Sequence, residues 1–115
     1  MNYKKQEIQE HFNDWINDQE QEWINNNVEW ITDNADDLHH HLFNSHYYIV
    51  GSYKATQWLG DQVFNIIDFI KEYEQMNFGE VSTDFASPEA IVNRYVYIIG
   101  EDIVCDYINQ LEVNQ

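Results

Sequence analysis

The stretch SPEAIVNRYVYIIGEDIVCDYINQL, residues 87–111, decides the fold. Ser87-Pro88-Glu89 is a helix start. The serine can cap, the proline sits at the first helical position, where a missing N–H costs nothing, and an acid occupies the first turn. Val92, Tyr95, Ile99, Ile103, Tyr107 and Leu111 then recur at steps of three and four, which is one face of an α-helix. Ile91 and Ile98 widen that face, and the width predicts a central helix. Gly100 inside it costs up to about 1 kcal/mol relative to alanine, unless a close helix crossing uses it. Cys105 lies in the same apolar stretch and is expected to be buried and inert. As the only cysteine it excludes an intrachain disulfide.

Outward from this segment the helical period persists. Val63, Ile66, Ile67, Ile70 and Tyr73 predict a helix over 61–77, with Gly60 stopping the previous one and Asp61 as N-cap. Asn77 to Ser87, with Gly79, reads as a loop. Asn44-Ser45 can cap a helix over 46–59, although HYYIVGSY has strand-like composition. Before it, Ile24, Val28, Ile31, Ala35, Leu38 and Leu42 form a single stripe. That stripe predicts one long second helix, opened by Asp18-Gln19-Glu20-Gln21 as a capping box. Asn25-Asn26-Asn27 has poor helix propensity and marks a place where this helix can break. Trp23 and Trp30 flank the stripe. Ile8, Phe12, Trp15 and Ile16 predict a first helix over 3–17. The expectation is an all-α single compact domain of about five helices, 1–115, without internal repeat or domain boundary.

Charge narrows the function. Twenty-one Asp and Glu face five Lys and Arg, a net charge of −16 on 115 residues. Such a chain repels nucleic acid and anionic membrane, and attracts basic proteins. It is nevertheless 43% hydrophobic and 16% aromatic, unlike acidic disordered tails. No apolar run approaches the roughly 18 residues of a membrane span, and MNYKKQEIQEHF lacks the apolar region of a signal peptide.

Catalytic and metal signatures are weak. His39-His40-His41, with His46 nearby and Asp36-Asp37 before, is the one metal-like cluster. Three consecutive histidines on a helix point in three directions and cannot share one ion. A C-terminal turn favoured by the helix dipole accounts for them. No metal or cofactor is therefore expected. The serines lack an elbow motif, and the four glycines form neither a phosphate loop nor a dinucleotide fingerprint. The expected class is a non-enzyme.

The acids are better organised. Glu7, Glu10, Asp14 and Asp18 fall opposite the apolar side of the first helix. Asp18, Glu22, Glu29, Asp33 and Asp36 fall within roughly 60° of one another on the wheel of the second. Asp37 stands beside them. The row from Asp18 to Asp36 would be about 27 Å long, close to one DNA turn of about 34 Å. Spread evenly over about 6,700 Å², the net charge would be far sparser than a duplex. Clustering it on half the surface approaches about half of duplex density. Asp61, Asp68, Glu72 and Glu74 on the later helix share their segment with Lys54 and Lys71 and are expected to matter less.

Asp36-Asp37-Leu38-His39 followed by His46-Tyr47-Tyr48 resembles a DDLH…HYY stretch of the small, acidic, mostly helical DNA-mimic proteins of phages and mobile elements, of the Ocr and ArdA antirestriction type. The resemblance spans about 13 residues. Size, acidity and aromatic content agree over the whole chain, but LEVNQ at the end carries one acid where Ocr is strongly acidic. DDLHHHLFNSHYYIVGSYKATQWLG and KEYEQMNFGEV also resemble segments of small phage proteins. The resemblance implies an inhibitor acting in the host cytoplasm on a basic DNA-binding defence protein, such as a restriction enzyme or CRISPR effector. Glu7, Glu10, Asp14, Asp18, Glu22, Glu29, Asp33, Asp36 and Asp37 would bind that partner. Neither nucleic acid nor membrane is an expected partner, and a homodimer stays open. The alternative is an acidic adaptor that docks through aromatics and shape, and a metal-dependent enzyme is the third class.

Overall fold

A computed structural model describes residues 3–40 and 49–113. Every regular element among them is helical, so the chain is all-α. The helices are α1 (Tyr3–Asn17), α2 (Gln21–Asn26), α3 (Val28–Asp33), α4 (Ala35–His39), α5 (Ser52–Leu59), α6 (Val63–Phe78) and α7 (Pro88–Val113), with a 3-10 turn at Gly60–Gln62. Contacts divide the chain into two units. The first is Met1–His46 with Tyr97–Gln115, and the second is Tyr47–Val96. Helix α7 contributes its first turns to the second unit and the remainder to the first.

In the first unit α1 has the expected bounds, and Ile8, Phe12 and Ile16 are buried along one side of it. The Phe12 ring meets Tyr107 of α7 edge to face, with centroids 5.4 Å apart. Burial pushes the Tyr107 phenol above its ordinary pKa. Ile24, Ile31 and Leu38 are buried, as the stripe requires.

The long second helix is not continuous. It breaks at Asn27 and Asn34 into α2, α3 and α4. At each break the asparagine amide donates to the carbonyl four residues back, Asn27 to Trp23 at 2.7 Å and Asn34 to Trp30 at 2.9 Å. Asparagine competes in this way for backbone groups that a helix would otherwise use. The capping box is also absent. Asp18 donates its N–H to α1 carbonyls, and Glu20, not Asp18, precedes the first turn of α2, without a side-chain cap. Leu42, Asn44-Ser45, His41, His46, Tyr47 and Tyr48 lie outside the described residues.

In the second unit Ala55, Leu59, Ile66, Ile70, Ile91, Val92, Tyr95 and Val96 are buried. Tyr95 is at the centre of this group, touching the rings of Trp58 at 6.2 Å and Phe69 at 5.6 Å. Helix α5 starts at Ser52, later than expected. Ile49 and Gly51 instead donate their N–H groups to α7, to Asn93 Oδ1 at 3.1 Å and to the Glu89 carboxylate at 2.8 Å. Gly60 does end α5, at φ 49°, a value that disfavours any residue with a Cβ. Asp61 falls inside the 3-10 turn and is not the N-cap of α6. The Ser87-Pro88 start of α7 is as expected, with the Ser87 hydroxyl accepting the Ala90 N–H at 3.3 Å. Val92, Val96, Ile98, Ile99, Gly100, Ile103 and Val104 are all buried, so α7 is apolar around much of its circumference. Cys105 corrects the expectation made for it: it is exposed, because the buried positions pass to Val104 and Ile108 on either side.

Candidate functional site

Of the nine acids proposed to meet a partner, Glu10 and Asp14 are exposed on α1. Asp18 is exposed in the turn after it, Glu22 on α2, Glu29 and Asp33 on α3, and Asp37 on α4. Glu7 is only half-exposed and lies 4.0 Å from the Lys4 ammonium. A surface pair of that length is worth about 1 kcal/mol at most. Asp36 belongs to α4, and its side chain lies outside those described. Because α2, α3 and α4 are separate helices, the single wheel that aligned Asp18 through Asp36 does not apply. The exposed acids are distributed over α1, the turn that follows it and the three short helices.

What the first unit adds to these acids is a cleft of about 380 Å³ lined by Trp15, Trp23, Trp30, Asp37 and Leu38. Trp15 and Trp23 form one corner of it, with centroids 6.4 Å apart and planes at 86°. Trp30 is 48% exposed, while Leu38 at the base is buried. The signal for this cleft in the sequence is a seven-residue repeat, contrary to the expectation of none. Trp23-Ile24-Asn25-Asn26-Asn27-Val28-Glu29 is echoed by Trp30-Ile31-Thr32-Asp33-Asn34-Ala35-Asp36. The repeat buries Ile24 and Ile31, places Trp23 and Trp30 on the cleft, and puts Asn27 and Asn34 at the breaks.

His39 is buried at 2% exposure, with its ring 4.6 Å from Tyr97 and 5.5 Å from His40, which is exposed. The two rings stack, with planes at 24°, and His40 also lies 5.4 Å from Tyr97. His39 and His40 therefore do not point apart as expected of neighbours on a helix, although one is buried and the other exposed. Among the described residues no group of three His, Cys, Asp or Glu is close enough to hold a metal ion.

The second unit contains a polar site that sequence reasoning missed. Glu74, expected among the outward acids of α6, is 1% exposed. Its carboxylate accepts the N–H and hydroxyl of Thr83 at 3.2 and 2.9 Å, and those of Ser82 at 3.3 and 3.2 Å. Arg94 Nε of α7 donates to it at 3.2 Å. Burial alone would raise the Glu74 pKa, but the hydrogen bonds from Thr83 and Ser82 outweigh it and hold the carboxyl below its ordinary value. The Arg94 guanidinium lies over the rings of Tyr73 at 5.8 Å and Phe78 at 5.7 Å. With both carboxylate oxygens engaged, Glu74 is an anchor for the loop between α6 and α7, not a proton donor. Asp61, Asp68 and Glu72 are exposed as expected.

These features define an acidic, all-helical chain with an aromatic cleft on its most acidic unit. No family model matches it, and neither a curated protein nor a solved structure is found to be similar. No described helix is long and apolar enough to cross a membrane.

Proposed function

We propose that the chain is a non-enzymatic inhibitor that binds a basic, DNA-binding host defence protein through the acidic helices of its first unit. One observation carries this reading. Between Lys5 and Lys54 the sequence has no Lys or Arg and ten Asp or Glu, and Glu10, Asp14, Asp18, Glu22, Glu29, Asp33 and Asp37 within that span are exposed. A field of one sign raised by one stretch of chain steers a basic partner and speeds its association at low salt. Carboxylates would stand in for phosphates on the partner's DNA-binding surface, as the resemblance to DNA-mimic antirestriction proteins implies.

The test is competition. A partner recovered from host lysate and eluted by salt should be displaced by duplex DNA. Replacing Asp18, Glu22, Glu29, Asp33 and Asp36 together by Asn or Gln should weaken binding and flatten its salt dependence. A control set of Asp61, Asp68 and Glu72 should change both much less; Glu74 is unsuitable for it because it is buried. Unchanged affinity and salt slope in the five-fold variant would refute the acidic-face reading. Binding that survives excess duplex DNA would favour the second reading, docking through aromatics and shape, which the tryptophan cleft supports.

A further inference from the structure

We infer that the Trp15–Trp23–Trp30–Asp37 cleft is a receptor for an arginine side chain presented by a basic protein segment, with the guanidinium against an indole face and paired to the Asp37 carboxylate. The inference rests on the reading that the first unit receives a basic protein, and it names the group that reading leaves open.

Three properties select the occupant. The walls are indoles, the aromatic rings that attract cations most strongly. Two of them stand at 86° to each other and the third is half-exposed. The cleft's roughly 380 Å³ lies within the range of small-ligand pockets. Asp37, exposed on α4, supplies a counter-charge at the cleft, and Glu29 and Asp33 are exposed on the neighbouring α3. An apolar occupant would desolvate the Asp37 carboxylate without pairing it, which is costly. A second copy of this chain would bring another −16 charges to the same surface. Guanidinium is preferred to ammonium because it is planar, weakly hydrated, stacks on aromatic faces and pairs with carboxylate through a fork of donors. The protein itself builds this arrangement once already, where Arg94 pairs with Glu74 and lies over Tyr73 and Phe78.

The test uses the full chain and two ten-residue peptides, one of alternating Arg and Ser and one of alternating Lys and Ser, titrated at 50 and 200 mM salt. Affinity is read by calorimetry, and the indole N–H resonances by NMR. The Arg peptide should bind about three- to tenfold more tightly than the Lys peptide. It should shift the resonances of Trp15, Trp23 and Trp30 and leave that of Trp58 in place. Trp30→Ala, at an exposed position outside the acidic set, should abolish the preference for arginine while the salt-dependent binding of both peptides persists. Asp37→Asn should abolish the preference too and, because Asp37 belongs to the acidic set, weaken both peptides alike. Equal affinity for the two peptides in the parent chain, or a preference that survives both substitutions, would overturn the arginine receptor and leave the acidic-face reading standing. Absence of salt-dependent binding by either peptide would remove the acidic-face reading and the receptor with it.

Discussion

A carboxylate buried as deeply as Glu74 stays charged only because five donors from Ser82, Thr83 and Arg94 converge on it. Removing one partner of a buried pair leaves the others unsatisfied, which typically costs about 3–5 kcal/mol. Glu74→Gln keeps the shape but turns an NH₂ group toward donors, so a loss of about 3 kcal/mol at pH 7 is expected from urea unfolding. The pH dependence has a definite sign. The folded pKa of Glu74 is depressed, so its contribution is complete above the unfolded value of about 4.3 and fades as pH falls through the folded value. Parent and variant should therefore differ most at neutral pH and converge in the acid limb. A gap that stays constant down to pH 2 would show that Glu74 acts through packing and not through charge.

At the scale of elements, the broken segment from α2 to α4 is set by Asn27 and Asn34, whose amides each occupy a carbonyl one turn back. Alanine at both positions removes those two bonds, each worth about 0.5–1.5 kcal/mol. It restores about half a kcal/mol of helix propensity per site. Asn27→Ala with Asn34→Ala should thus deepen the far-ultraviolet helical signal and change stability by less than about 2 kcal/mol. A weaker helical signal would show that the breaks are imposed by packing of Ile24, Ile31 and Leu38 and not by the asparagines. The same double variant probes the cleft, because Trp23, Trp30 and Asp37 come from three different helices.

For the whole molecule, self-repulsion is the dominant electrostatic fact. Sixteen net charges of one sign oppose folding, with five Lys and Arg set against 21 Asp and Glu. Salt should therefore stabilise the protein, because it screens the repulsion and has little attraction to weaken. Raising sodium chloride from 20 to 200 mM should increase Tm by several degrees; about 1 kcal/mol corresponds to roughly 4 °C in a domain of this size. An unchanged or lower Tm would mean that the acids are far enough apart to ignore one another. That spacing would also weaken the case for a clustered acidic face.

Sequence alone determined the helical class, the bounds of α1, the Ser87-Pro88 start of α7, the stop at Gly60 and part of the buried face of each long helix. These follow from local chemistry, meaning a 3.6-residue apolar period, a proline at a first turn and a glycine at positive φ, and neighbours in the chain suffice to enforce them. It also determined the charge, which composition fixes regardless of fold. Tertiary structure decided the rest. Glu74 looks like any outward acid of α6 until Ser82, Thr83 and Arg94, distant along the chain, fold onto it. Cys105 and Val104 are adjacent in an apolar run, and only packing chose which of them is buried. The stripe from Ile24 to Leu38 fits one helix on periodicity, but two asparagine amides broke it into three. Trp15 meets Trp23 only because the chain turns between α1 and α2. A contact between residues far apart in sequence leaves no local period to read, and the aromatic cleft and the buried carboxylate are both made of such contacts.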